Sequence, residues 1–149
     1  MQNHSDCFQK VKTRCLDFIS SQETKKEKFK NKEKMIKSFL IPICFWIDKN
    51  KLKNKTFIIG LAGGQGTGKT TVSSLIKLIL KTYFKLNVFK ISIDDFYKTR
   101  KERLKLSKSI HPLLLTRGVP GTHDVDMLNK LFYNIKKKKF CLLYTSPSP

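Results

Sequence analysis

Acidic residues are scarce: 11 aspartates and glutamates stand against 31 lysines and arginines in 149 residues, a formal charge of +20. Arginine is scarce as well, present only at Arg14, Arg100, Arg103 and Arg117. A dedicated nucleic-acid binder gathers arginines and interleaved aromatics on one patch. Here lysines run along the whole chain, densest at Lys25–Lys34, Lys49–Lys55 and Lys136–Lys139. The excess reads as compositional bias, with incidental polyanion affinity from charge alone; no specific nucleic acid is expected as a partner. The four cysteines, Cys7, Cys15, Cys44 and Cys141, lack the paired spacings that hold zinc or a redox disulfide. They read as ordinary thiols of a reducing compartment. Met1 to Asp6 has no signal-peptide architecture. No apolar run approaches the roughly 20 residues of a membrane helix; the longest, Phe39 to Ile47, contains Pro42. A cytoplasmic protein without a membrane partner is expected.

Glycine, too, is sparse, yet four of the seven glycines fall between Gly63 and Gly68. The stretch Gly63-Gly64-Gln65-Gly66-Thr67-Gly68-Lys69-Thr70 fits the P-loop pattern of glycine, four residues, then glycine-lysine-threonine. A β-branched apolar run, Thr56 to Ala62, precedes it, and Thr71 to Leu80 follows with apolar residues at helical spacing. Strand, glycine loop and helix is the context the motif needs. Glycines let successive backbone N–H groups close around phosphate oxygens at a helix N-terminus that already favours an anion. Lys69 then reaches the β- and γ-phosphates, and the Thr70 hydroxyl takes a place on Mg²⁺. The expected ATP-binding residues are Gly63, Gly64, Gln65, Gly66, Thr67, Gly68, Lys69, Thr70 and Thr71.

Upstream, Cys7, Phe8, Val11, Cys15, Leu16, Phe18 and Ile19 recur at three- and four-residue steps, which predicts an amphipathic helix up to about residue 23. Glu23 to Lys34 is almost purely charged, a loop or a solvated helical stretch. Met35 to Ile47 predicts two helical pieces or one kinked at Pro42, with Trp46 as a packing residue. Downstream, Asn87 to Ile93 reads as a second parallel strand, closed by Asp94-Asp95-Phe96-Tyr97. Carboxylates at a strand's carboxyl end, one strand away from a P-loop, are placed to accept a proton from an alcohol or to hold Mg²⁺. The bland alternative is a turn or helix cap, for which aspartate is a common choice. Lys98 to Ser109 patterns weakly as a helix. Glycine and proline then mark a defined loop from His111 to Asp124, in which Thr122 or Asp124 caps a helix over Val125–Asn134. Arg117 can grip a carboxylate or phosphate with two parallel hydrogen bonds.

Taken together, the P-loop, Ser92-Ile93-Asp94-Asp95-Phe96-Tyr97 and Arg117-Gly118-Val119-Pro120-Gly121-Thr122-His123-Asp124 resemble the D-glycerate 3-kinase family of P-loop kinases. That family is related to uridine kinase, phosphoribulokinase and bacterial pantothenate kinase. Phe39-Leu40-Ile41-Pro42 and Trp46-Ile47 resemble its helix before the first strand, so the likeness covers residues of about 35 to 135. It implies transfer of the ATP γ-phosphoryl group to an alcohol of glycerate, giving 3-phosphoglycerate, with Mg²⁺. By the same likeness, Asp94 is the catalytic base and a metal ligand beside Thr70, and Lys69 and Asp95 complete the catalytic set. Tyr97, Arg117, Gly121, Thr122, His123 and Asp124 line the acceptor site. A uridine-kinase-like, phosphoribulokinase-like or pantothenate-kinase-like acceptor, or a non-catalytic nucleotide-binding module, is the alternative.

The expected fold is a P-loop NTPase-type three-layer α/β arrangement with a parallel sheet, truncated. Residues 1–55 form a helical segment and 56–140 the N-terminal part of the kinase domain. Residues 141–149 match neither the family nor strand–helix logic and resemble translated adapter sequence, so they are expected to be a non-native tail. A fragment of this kind is expected to be inactive in transfer by itself.

Overall fold

The computed structural model describes residues 3–25, 28–53, 55–64, 66–137 and 141–145. Helix α1 (His4–Ser21) starts at Asn3, whose Oδ1 accepts the Asp6 N–H at 2.7 Å. Such a side-chain oxygen satisfies a donor that the first helical turn leaves without a partner. The buried face of α1 is Cys7, Phe8, Val11, Cys15 and Ile19, the stripe expected from the spacing.

A second helical run follows: α2 (Lys32–Met35), a π-helical turn (Ile36–Leu40) and α3 (Ile41–Asn50). The deformation falls just before Pro42, as the sequence predicts, but the helix widens instead of breaking. Proline removes one N–H and crowds the carbonyl four residues back. The wide turn, in which the Ile41 N–H reaches Ile36 O, accommodates that loss. Trp46, expected as a packing residue, is 56% exposed and meets the Phe57 ring with centroids 6.1 Å apart. The inward side of α3 is taken by Ile41, Cys44 and Ile47, which leaves position 46 on the rim.

Strand β1 (Phe57–Leu61) leads through the glycine loop into α4 (Lys69–Thr82), and β2 (Val88–Ser92) ends in a 3-10 turn (Ile93–Phe96). Next come α5 (Arg100–Ser109), a second 3-10 turn (Pro112–Leu115), α6 (Val125–Lys137) and β3 (Cys141–Thr145). The sheet is parallel in the order β1-β3-β2. Cys141–Thr145, expected to lie outside strand logic, therefore forms its middle strand. A short continuous apolar run cannot be assigned by periodicity alone, and only pairing with a strand on each side reveals it. Residues 146–149 lie outside the described residues.

The register decides where functional groups can meet. Leu61 and Ser92 both pair with Thr145, so β1 and β2 finish level at the carboxyl end of the sheet. They are not neighbours, as the sequence reading had them. Two strand spacings, roughly 10 Å, separate the start of the glycine loop from the start of the Asp94 turn.

The core lies between the N-terminal helices and α4, where Leu75, Ile76, Ile79 and Leu80 bury one face of that helix against Val11, Ile36 and their neighbours. Phe57 and Ile59 of β1 pack against this cluster, whereas Ile58 on the opposite face is 37% exposed. Helix α6 approaches that second face. The Thr56 Oγ1 hydroxyl donates to Ile135 O at 2.8 Å.

Candidate active site

The glycine loop is held in shape by its own atoms. Gly66 and Gly68 adopt φ of 77° and 76°, a region that costs other L-residues about 1 kcal/mol or more. Gly68 is the N-cap of α4, so the first-turn N–H groups point out of the helix toward the loop. The Thr67 hydroxyl donates to Gly64 O at 2.8 Å. The Lys69 ammonium folds back to donate to Gly63 O at 2.5 Å and Gly64 O at 2.6 Å. A cation is thereby stored over the loop, beside a helix end whose dipole attracts anions. Thr70 is exposed and Thr71 half-buried in the first turn of α4, and Gln65 lies outside the described residues.

At the end of β2 the two carboxylates have separate places. The Asp95 Oδ2 accepts the Ser92 N–H at 3.2 Å while the Ser92 Oγ accepts the Asp94 N–H at 3.3 Å, a reciprocal cap of the 3-10 turn. Asp95 thus fills the capping role that the sequence left as the alternative reading. The Asp94 carboxylate is exposed and makes no hydrogen bond or ion pair with a described residue.

Beyond this turn the chain is fastened to the His111–Asp124 loop. The Asp124 N–H donates to Phe96 O at 2.7 Å, the Lys98 N–H to Thr122 O at 2.8 Å, and Tyr97 and His123 form an antiparallel bridge. The rings of Tyr97 and His123 stack with centroids 4.1 Å apart, and the Arg117 guanidinium stands 5.4 Å from the Tyr97 ring, a cation–π distance. The His123 Nε2 is buried with no hydrogen-bond partner among the described residues. A buried polar atom of that kind calls for a water or a ligand to complete it.

Three other expected residues hold the loop itself. Thr122 is fully buried and its hydroxyl donates to Val119 O at 2.6 Å. Asp124 Oδ1 accepts the Met127 N–H at 2.9 Å and caps α6. Gly121, at φ 90°, passes against Leu114.

Sequence reasoning missed Arg103. It is buried, donating from Nε to Lys98 O at 3.1 Å and from Nη1 to Leu115 O, so it ties α5 both to the segment before it and to the His111–Asp124 loop. The available signal was an arginine chosen in a lysine-rich chain, since only a planar group with several donors serves two carbonyls at fixed angles. Helix α5 itself is fixed by Thr99 and Glu102, whose carboxylate accepts the Thr99 N–H and hydroxyl, both at 2.7 Å. Those bonds hold the Glu102 carboxyl below its ordinary range.

Among the described residues no group of three or more histidines, cysteines, aspartates or glutamates is arranged to hold a metal. No helix among them is long and apolar enough to cross a membrane.

No family model matches the chain. Over 83 residues it is 42% identical to a protein described as an uncharacterized kinase, mug58, of Schizosaccharomyces pombe, covering 54% of this chain and 30% of that one. A pantothenate kinase of Lactococcus lactis is 29% identical over 86 residues, covering 57% of this chain and 26% of the relative. Among solved structures, a D-glycerate 3-kinase from Cryptococcus neoformans var. grubii superposes with a TM-score of 0.56 at 22% identity, over 73% of this chain and 50% of that one. The kinase likeness read from the motifs is thus matched in sequence by these relatives, and the fold is matched by the solved D-glycerate 3-kinase. The chain spans 26% to 30% of the length of these curated relatives and 50% of the solved one.

Proposed function

We propose that this chain, similar in sequence and fold to the glycerate-kinase-like P-loop kinases, carries the phosphate site and part of the acceptor wall of an ATP-dependent kinase. Its acceptor is the alcohol of a small hydroxy acid, D-glycerate above others. The fold reading that goes with this is the P-loop NTPase type, a parallel sheet layered between helices and preceded by the helical segment 1–55. The observation that carries it is the sheet register. It puts the starts of the P-loop and of the turn that carries Asp94 at the same end of the sheet, about 10 Å apart by strand spacing. A terminal phosphate and the hydroxyl that attacks it fit within such a gap.

The residues divide the work by position. The first-turn N–H groups of α4 and the loop amides hold phosphate oxygens. Lys69 exchanges the carbonyls of Gly63 and Gly64 for the β- and γ-phosphates, which cost it little because both partners are hydrogen-bond acceptors. Asp94 accepts the proton of the acceptor hydroxyl as that oxygen bonds to the γ-phosphorus and the β–γ bridging oxygen departs with the bond it shared. Arg117 grips the acceptor's carboxylate and the His123 Nε2 finds its missing partner there, with Tyr97 holding both side chains in place. Magnesium fits a site of this make-up, because it binds through one carboxylate, a hydroxyl and phosphates without a full protein cage. Thr70 and Asp94 are the residues that would hold it, and it would neutralise charge on the transferred group.

A second acceptor remains in view because a pantothenate kinase is among the relatives. Phosphoryl transfer measured side by side with glycerate, uridine and pantothenate, in a protein that carries this chain at the full length of its relatives, separates the two. We expect turnover with glycerate, and a raised glycerate KM with an unchanged ATP KM in Arg117→Lys, since lysine keeps the charge and loses the fork. Turnover with pantothenate or uridine and none with glycerate overturns the acceptor assignment and leaves the kinase intact.

A further inference from the structure

The lysine-dense stretch after α1 turns out to face the P-loop. A cleft of about 700 Å³ is lined on one side by Gln22, Lys25, Lys28, Phe29 and Lys30 and on the other by Gly66, Thr67 and Gly68. Ligand clefts fall in this size range.

The turn is built, not draped. One oxygen of the Glu23 carboxylate accepts the Phe29 N–H at 2.8 Å and the other takes the Lys32 ammonium at 2.8 Å, an ion pair largely shielded from solvent. Lys32 also donates to Ser20 Oγ at 3.3 Å, at the end of α1. The Phe29 ring packs against the main apolar cluster. The carboxylate clip and the aromatic anchor hold the Phe29 end of this stretch, and Lys25, Lys28 and Lys30 line the cleft across from the loop. None of the three lysines is in an ion pair with a described residue, although the charge of Lys28 is felt at a distance by the Glu23 carboxylate.

We propose that this turn is a second cationic wall of the phosphate site, selecting ligands with three linked phosphates over those with two or one. The inference rests on the P-loop reading above. Three like charges lining one cleft raise its positive potential and draw anions toward it, and the P-loop opposite them recruits anions of the same kind. Each additional phosphate adds charge that this wall can attract, so discrimination grows along the series monophosphate, diphosphate, triphosphate.

The test compares the 149-residue chain with its Lys25→Gln/Lys28→Gln/Lys30→Gln variant. Equilibrium binding of ATP, ADP and inorganic tripolyphosphate is measured at low and at high salt. All three lysines are exposed, so the fold does not depend on them. Removing them should weaken ATP and tripolyphosphate about tenfold at low salt and ADP about threefold, with the difference vanishing near 0.5 M salt, where screening acts within roughly 4 Å. A control removing three exposed lysines before β1 (Lys49, Lys53 and Lys55 to Gln) lowers net charge equally at the opposite end of that strand and should change affinity less than twofold. Phe29→Ala keeps every charge but loosens the turn, and should lose part of the ATP preference. Equal weakening by the control triple overturns the wall and leaves a general charge effect. Loss of binding in Lys69→Ala with none in the turn variant overturns the wall and leaves the P-loop standing. Absence of ATP binding to the unaltered chain overturns both.

Discussion

Substituting the two adjacent aspartates should affect stability and transfer in opposite orders. The Asp95 carboxylate closes the cap of the Ile93–Phe96 turn through the Ser92 N–H at 3.2 Å, whereas Asp94 makes no side-chain bond to a described residue. A capping residue replaced by alanine costs typically about 1 kcal/mol. For a chain of 149 residues that is a fall in Tm of about 3 °C. Asp95→Asn keeps an acceptor oxygen and should recover most of the loss. Asp94→Ala, an exposed position without partners, should stay within about 0.5 kcal/mol of the parent. In phosphoryl transfer the order inverts: removing a general base lowers kcat by about 10²- to 10⁴-fold, so Asp94→Asn should be the damaging change and Asp95→Asn the mild one. Thermal melts of the four variants, and initial-rate assays of the same substitutions in a protein that carries this chain at the full length of its relatives, suffice. If Asp94→Ala melts as low as Asp95→Ala, or Asp94→Asn keeps near-parental turnover, the division between cap and base is wrong.

Two further outcomes follow from the same contacts. Burial pushes the Cys7 thiol up to about 11 and Cys15 to about 12 from an ordinary value of 9.0. Peptide-resolved labelling at pH 8 should therefore find both silent until the chain is unfolded. A raised thiol leaves stability intact below the unfolded value near 9 and drains it as pH climbs from there toward 11, so the melt should soften on the alkaline side in that window; fast native labelling of Cys15 would contradict its place in the core. Arg103→Met removes the donors to Lys98 O and Leu115 O, leaving carbonyls short of a partner at about 1–3 kcal/mol. We expect a lower melt together with a higher acceptor KM and an unchanged ATP KM; an unaltered acceptor KM would show that α5 does not shape the loop.

What could be read in advance was local. The α1 stripe, the P-loop between its strand and helix, the deformation at Pro42 and the Asp124 cap each depend on residues within a turn or two of one another. Their periodicity and punctuation were visible in the chain. What stayed hidden was non-local. Cys141–Thr145 becomes a strand only because β1 and β2 flank it, which in turn moves Asp94 one strand further from the P-loop than expected. Trp46 falls on the rim because Ile41, Cys44 and Ile47 occupy the inward side of α3 first. Arg103 and the Glu23 clip each join backbone or side-chain atoms whose pairing no spacing rule announces. The carboxylate pair shows the same division: adjacency was legible, but the assignment of one to a cap required the Ser92 N–H to be seen beneath it.

The account stands or falls on phosphate binding at the first turn of α4, and amide hydrogen exchange tests that segment directly. The N–H groups of Lys69, Thr70 and Thr71 precede the first bond of α4, which the Val72 N–H makes to Gly68 O at 2.9 Å, so they exchange from the native state unless a ligand covers them. Adding ATP with magnesium should slow exchange across residues 66 to 72, and that protection should be absent in Lys69→Ala. Exchange over this stretch that is the same with and without nucleotide, in a chain whose α1 and α4 cores remain protected, would contradict the assignment.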